Sequence, residues 1–180
     1  TINHPNPSLA FLCGLLHEFS VLLYDEFFGE IFEVIIEQTN KERCTFAAAG
    51  TEILKLDQNE FMAELFTLWN MPKELIVCLK GFSKFLTVNE GLPQDQTALI
   101  KIVGFSELLA KSARIGRSCD EVLHETPDSL LQFFKLPIGI RKIFFDTIYS
   151  QIDLFVQLLN LERTEFPNIA FKKQSGVAAP

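Results

Sequence analysis

Three histidines and four cysteines are the groups in this 180-residue chain whose chemistry can reach beyond packing. His17 is the most suggestive of them. It sits inside the apolar run Gly14-Leu15-Leu16-His17-Glu18-Phe19, next to a carboxylate. An imidazole and an adjacent acid late in a helix are the beginning of a divalent-cation site if other segments add donors. A two-metal hydrolase needs several more ligands, preferably histidines, and only His4 and His124 remain, both in polar stretches where a solvated ring is expected. The plainer role for His17 is a buried histidine with its hydrogen bonds satisfied. The cysteines, Cys13, Cys44, Cys78 and Cys119, form no CxxC pair, which excludes the usual zinc-knuckle and thioredoxin spacings. They read as buried, reduced thiols of a cytosolic protein. The chain has no phosphate-cradling glycine loop, no GxSxG elbow and no HExxH pair.

The elements that must position these groups are helical. Asn6-Pro7 is a helix entrance, a capping side chain followed by Pro at the first helical position. From there Leu9, Leu12, Cys13, Leu16, Phe19 and Leu23 recur at three- and four-residue steps, which predicts one continuous apolar face. A second helix is expected over Phe28–Gln38, with Phe28, Phe32, Ile35 and Ile36 inward and Glu30, Glu33 and Glu37 solvated. A third is expected over Lys41–Leu56, with Ala47-Ala48-Ala49 at its middle. Asp57 and Glu60 have the spacing of a capping box. Phe61, Leu65, Leu68 and Trp69 follow as a stripe, with Trp69 as a core anchor rather than a partner hot spot. Pro72 opens a short helix carrying Leu75, Ile76 and Leu79 and ending near Gly81. Leu86–Gln96 reads as a loop and Thr97–Ala113 as a helix. Thr126-Pro127-Asp128 leads into Leu130, Leu131, Phe133 and Phe134, and a last helix is expected over Gly139–Leu161. Phe166–Pro180 has no period and reads as a tail. The sum is an all-α multi-helix bundle, a single domain over residues 1–165 with a tail at 166–180.

Composition narrows the partners. Apolar residues make up 48% of the chain and charged residues 22%, a globular mixture. The net charge of −7 disfavours nucleic acid, because phosphate backbones are repelled and the longest basic run is Lys172-Lys173. Leu9–Leu16 is too short to span a bilayer, so no membrane association is expected. Eighteen phenylalanines are unusual and imply either a deep interior or aromatic surface kept for a partner. The pairs Phe27-Phe28, Phe133-Phe134 and Phe144-Phe145 sharpen that choice, since neighbouring helix positions point about 100° apart.

The run Ala10-Phe11-Leu12-Cys13-Gly14-Leu15-Leu16-His17-Glu18-Phe19 resembles the AFLAGLLHDIGKL signature of HD-superfamily helical proteins. The nearest resemblance is to the HDOD family, the HD-related output domains of bacterial signalling proteins. Leu56-Asp57-Gln58, Leu65, Trp69-Asn70-Met71-Pro72 and Leu75 fall at the spacings of that family's GxDHxxxGxxLxxxWxLPxxL stretch. Thr97–Ala110 is similar to its hxADxLA helix. The departures bear on chemistry. The HD doublet has become His17-Glu18, the second family histidine falls on Gln58, and the family's His-His pair falls near Phe82-Ser83. The acid of the later helix corresponds to Glu107.

The resemblance therefore implies the helical fold without hydrolysis: no catalytic residue, no cofactor, and no metal unless His17, Glu18 and Glu107 hold one. Trp69, Pro72, Gln58 and Phe82 are then structural or contact positions. The expected function is a non-catalytic, cytoplasmic module of bacterial signal transduction that docks protein partners. The alternative is a divergent HD-type metal-dependent phosphohydrolase acting on nucleotides. The family domain usually carries further helices ahead of the Gly-Leu-Leu-His segment. The sequence is thus a fragment, or those helices are dispensable; their loss would expose an apolar face on the first helices and invite homodimerisation.

Overall fold

A computed structural model describes residues 4–88 and 91–112, together with 119, 122, 135, 146–148, 150–151, 154 and 157–158. The described residues are helical, with no strand among them. Chain contacts divide the protein into two units, one of Thr1–Ser112 with Arg117–Thr126, the other of Ala113–Gly116 with Pro127–Pro180. The single domain expected over 1–165 runs past the described residues, as do the helix entrance at Thr126, the pairs Phe133-Phe134 and Phe144-Phe145, and the tail.

The first unit opens as its caps dictate. α1 (Pro7–Leu16) starts where the Asn6 side chain accepts a hydrogen bond from the Leu9 amide at 3.0 Å. The expected continuous helix is broken at His17-Glu18, and α2 (Phe19–Phe27) begins beyond the turn. A side chain supports the stop: His17 Nδ1 donates to the Gly14 carbonyl at 2.6 Å, satisfying one of the acceptors that a helix end leaves open. Helical spacing continued through the break because both helices are apolar, but their faces have different neighbours. α1 packs on α6 (Lys73–Gly81) and α7 (Gln94–Ser112), and α2 packs on α3 (Gly29–Glu42) and α5 (Gln58–Leu68). Pro7–Phe27 as a whole is apolar enough and, at 21 residues, long enough to cross a membrane, a longer run than Leu9–Leu16; the turn divides it.

The expected Lys41–Leu56 helix is also two pieces. α3 continues to Glu42 and stops where Arg43 takes a left-handed backbone (φ 51°). Thr45 Oγ1 then caps α4 (Phe46–Leu54) by accepting from the Ala48 amide at 3.2 Å. Ala47-Ala48-Ala49 is thus the first turn of a helix, not a middle. Asp57 caps α5 as expected, accepting from the Asn59 and Glu60 amides at 2.8 and 3.2 Å.

The expected α5 stripe is displaced. Gln58, Met62, Ala63 and Phe66 are buried, whereas Leu68 is 77% exposed and Trp69, just past the helix end, is 52% exposed. The period was right and the phase wrong, because apolar residues lie on both sides of this helix. Phe28, expected inward, is half-exposed, and Phe27 is largely exposed. Pro72 precedes α6, and its carbonyl accepts from the Leu75 and Ile76 amides. Part of the expected loop is a 3₁₀ turn, Phe82–Thr87, and α7 starts three residues earlier than expected. Gly104 explains the close seat of that turn on α7: a Cβ there would land on the Phe85 ring and the Phe82 carbonyl. Leu99, Ile100, Val103, Phe105 and Leu109 bury the inner side of α7, while Ser106 is exposed.

In the second unit the described residues 146–148, 150–151, 154 and 157–158 are helical, within the expected Gly139–Leu161 helix. Leu154 and Leu158, four residues apart and hence on one face, are exposed.

Candidate functional site at the first interhelix turn

The turn that ends α1 is also where polar groups gather. Nδ1 of His17 faces a carbonyl, which only accepts, so that nitrogen carries the proton and, in the neutral ring, Nε2 carries the lone pair. The Phe82 ring stands edge-on to the imidazole, with centroids 5.4 Å apart and planes at 86°. Glu18 follows in the turn, and α7 brings Glu107 alongside. One donor atom from each of His17, Glu18 and Glu107 lies within 4.8 Å of the others, and all three residues are half-buried. The three residues singled out as the only conceivable metal set are therefore brought together.

A fourth group decides what the cluster can do. Lys111, one turn beyond Glu107, places its ammonium 2.7 Å from Glu107 Oε1 and 3.7 Å from Glu18 Oε1. Its side chain is only 15% exposed. A divalent cation shared by these carboxylates would sit near the ammonium. At about 4 Å, with an effective dielectric near 20, the repulsion is roughly 4 kcal/mol per charge, or about 8 for a dication. As arranged, the residues do not fit a divalent metal; the carboxylates already have their cation, and it is covalently tethered. Lys111 escaped the motif comparison because it has no counterpart among the family's ligands. The Glu107-to-Lys111 step of four residues was the available signal.

The other singled-out residues lie elsewhere or have other duties. Gln58 is buried at the start of α5, donating to the Phe46 carbonyl and accepting from Ser20 Oγ, each at 3.5 Å. Its partners are on α4 and α2, so it does not join His17. A Cβ on Gly50 would collide with the Gln58 amide, which shows how closely α4 approaches it. Phe82 packs against His17, apolar where a ligand would be needed. Trp69 is not a core anchor: it lies half-exposed over Phe66 and Phe19, at centroid distances of 5.6 and 6.3 Å. Pro72 is exposed and serves the start of α6. An open hollow of about 450 Å³ lined by Ala47, Thr51, Asp57, Gln58, Asn59 and Ser83 is separate from the His17 corner.

The thiols sort by depth. Cys13 and Cys78 are fully buried, Cys44 and Cys119 half-buried, and all four are unbridged. Each of the two buried thiols alters the other's acidity: Cys78 lowers the Cys13 pKa against the opposing effect of burial, while Cys13 and burial push Cys78 up.

No curated protein and no solved structure matches the chain. The family model of the HDOD domain matches residues 1–81, which span α1 to α6 and include His17 and Glu18, while Glu107 and Lys111 lie beyond it. The match covers 81 of the 180 residues, and over that stretch the chain is similar to the HDOD domain family.

Proposed function

We propose that this chain is a non-catalytic regulatory module of bacterial signal transduction that works in the cytoplasm by docking proteins. The observation that carries the non-catalytic part is the Lys111 ammonium, held between Glu107 and Glu18 where a catalytic cation would have to sit. A tethered monocation cannot generate a metal-bound nucleophile. Gln58 and Phe82, at the family's other ligand positions, supply no replacement donors near His17.

The docking part is supported by the outward side of the first helices. Phe11 and Leu15, four residues apart on α1, are 66% and 65% exposed, and Leu22 and Phe27 of α2 are exposed as well. Apolar side chains grouped in this way are characteristic of contact surfaces. A bilayer is a poorer host for the same stretch, because the Glu18 carboxylate and its ammonium partner sit at its midpoint and would be costly in hydrocarbon.

The competing reading, a divergent metal-dependent phosphohydrolase of nucleotides, draws on the approach of His17, Glu18 and Glu107 to within 4.8 Å. Metal analysis of the purified chain separates the two, paired with hydrolysis assays on nucleoside mono-, di- and triphosphates. The regulatory reading expects no stoichiometric Mn, Fe or Mg and no turnover. Stoichiometric metal, with hydrolysis that disappears in His17→Ala, would establish the enzyme instead.

A further inference from the structure

The exposed side of α1 and α2 is one stripe. Cys13, Ser20 and Tyr24, at steps of seven and four residues, are buried, so the helix faces carry through the turn at His17-Glu18. On the opposite side Phe11, Leu15 and Leu22 recur at steps of four and seven and are 66%, 65% and 58% exposed. Phe19 flanks them, one turn from both Leu15 and Leu22, and Trp69 lies over its ring at 6.3 Å, half-exposed itself. The apolar surface therefore continues from the two helices onto Trp69.

Gly14 sits inside the stripe, between Phe11 and Leu15. A Cβ there would meet nothing within 4 Å, so no contact among the described residues requires a glycine. Within a helix it is a weaker choice than alanine. Bare backbone on an outward apolar face is what allows a second helix to come close. The stripe is also nearly free of charge. α1 carries no charged side chain from Pro7 to Leu16, and Glu18 already faces the Lys111 ammonium.

We infer that this stripe is an isologous interface whose occupant is a second copy of the chain, with the α1 helices crossing near Gly14. The inference rests on the docking reading above and names the partner. Area supports it. With a large side chain counted at roughly 200 Å², the exposed parts of Phe11, Leu15, Leu22 and Trp69 offer on the order of 500 Å². A standard interface buries about 800 Å² per partner, and homodimer interfaces are about 65% apolar, so the apolar share required is about the same. Charge supports it too. Two molecules of net charge −7 repel, and an uncharged face is the part of each that meets its copy without like charges in contact. A different protein recruited to an acidic chain is steered by complementary charge, which this face does not display. Asp25 and Glu26, exposed at the far end of α2, leave the acid at the rim.

The experiment is sedimentation equilibrium of the full chain over micromolar concentrations, at low and high sodium chloride. The expected result is a mass rising with concentration from 20.5 kDa to twice that value. The dimer should tighten as salt screens the acidic copies. Leu15→Glu should weaken it by about 100-fold or more, because the interface carries the substitution twice and leaves both carboxylates in an apolar seam. Gly14→Gln should weaken it by about tenfold, since a side chain at that position holds the helices apart. Both positions face solvent in the single chain, so each variant should keep the parent's helical circular-dichroism spectrum and thermal midpoint. A chain that stays at 20.5 kDa throughout, a dimer that loosens with salt, or one indifferent to Leu15→Glu or to Gly14→Gln overturns the inference. The docking reading is decided separately, by the metal and hydrolysis assays.

Discussion

The two ends of α2 handle polarity in opposite ways. At its start, His17, Glu18, Glu107 and Lys111 bring charge into a half-buried corner, and each has a partner there: His17 the Gly14 carbonyl, Lys111 both carboxylates. Toward its end, Tyr24 enters an aromatic cluster, stacked on Phe61 at 6.1 Å and tilted against Phe46 at 6.4 Å. Its hydroxyl has no hydrogen-bond partner among the described residues. The corner depends on charge pairing and specific geometry; the cluster depends on buried area and tolerates one unpaired hydroxyl. A half-buried pair of carboxylates needs a cation beside it, whereas an apolar cluster needs none.

The largest expected effect lies in the cluster. Phe46 is buried and packs against Tyr24 and Phe32. Phe46→Ala should cost about 3–5 kcal/mol in denaturant unfolding; a cost under about 1 kcal/mol would mean that buried area does not hold this end.

Lys111→Ala should cost about 1–3 kcal/mol, because it leaves two neighbouring carboxylates without their cation. The corner should then behave as a unit: a double-mutant cycle with Glu107→Ala should show coupling, the second substitution recovering part of the loss. Strict additivity would reduce the corner to unrelated surface charges.

Trp69→Ala tests a side chain on the rim of the same packing. Half-exposed over Phe66 and Phe19, it should cost about 1 kcal/mol, against about 3–5 for a buried Trp. A core-sized loss would return Trp69 to the interior role that its spacing suggested.

Tyr24→Phe should be the smallest, from neutral to about 1 kcal/mol stabilising, since it removes a buried hydroxyl that has no partner among the described residues. It also carries a pH signature. Burial raises the Tyr24 pKa, so in alkali the unfolded chain loses its proton first. Stability is full below the unfolded phenol's value near 10 and falls as pH rises through the higher folded value. The Phe variant should lose less stability than the parent over that range; identical alkaline slopes would show that the hydroxyl is solvated.

Much of the fold was legible along the chain. Asn6 and Asp57 each cap a helix through their own side chains, and such caps are local, so the sequence suffices to place them; the Thr45 cap, hidden inside the expected Lys41–Leu56 helix, was not read. The helix breaks were harder. Arg43 and Lys55 end α3 and α4 in left-handed conformations that carry no glycine to announce them. The phase of α5 was missed because Phe61, Leu65, Phe66, Leu68 and Trp69 surround much of the helix, and only its neighbours select which of them is buried. At the site, His17 and Glu18 were visible as neighbours, and Glu107 as a family correspondence. The reach of Lys111 to Glu18 was not, since it joins segments far apart in sequence.

The order of residues determined what is local or additive: helical periodicity, caps, an acidic surface, and the HDOD signature with its altered ligand positions. Tertiary structure alone decided which cation the His17 corner holds and which face of α5 is buried. Those outcomes depend on how helices distant in sequence are set side by side, and charge pairing and burial vary over distances of an ångström or two, which no spacing along a single chain specifies.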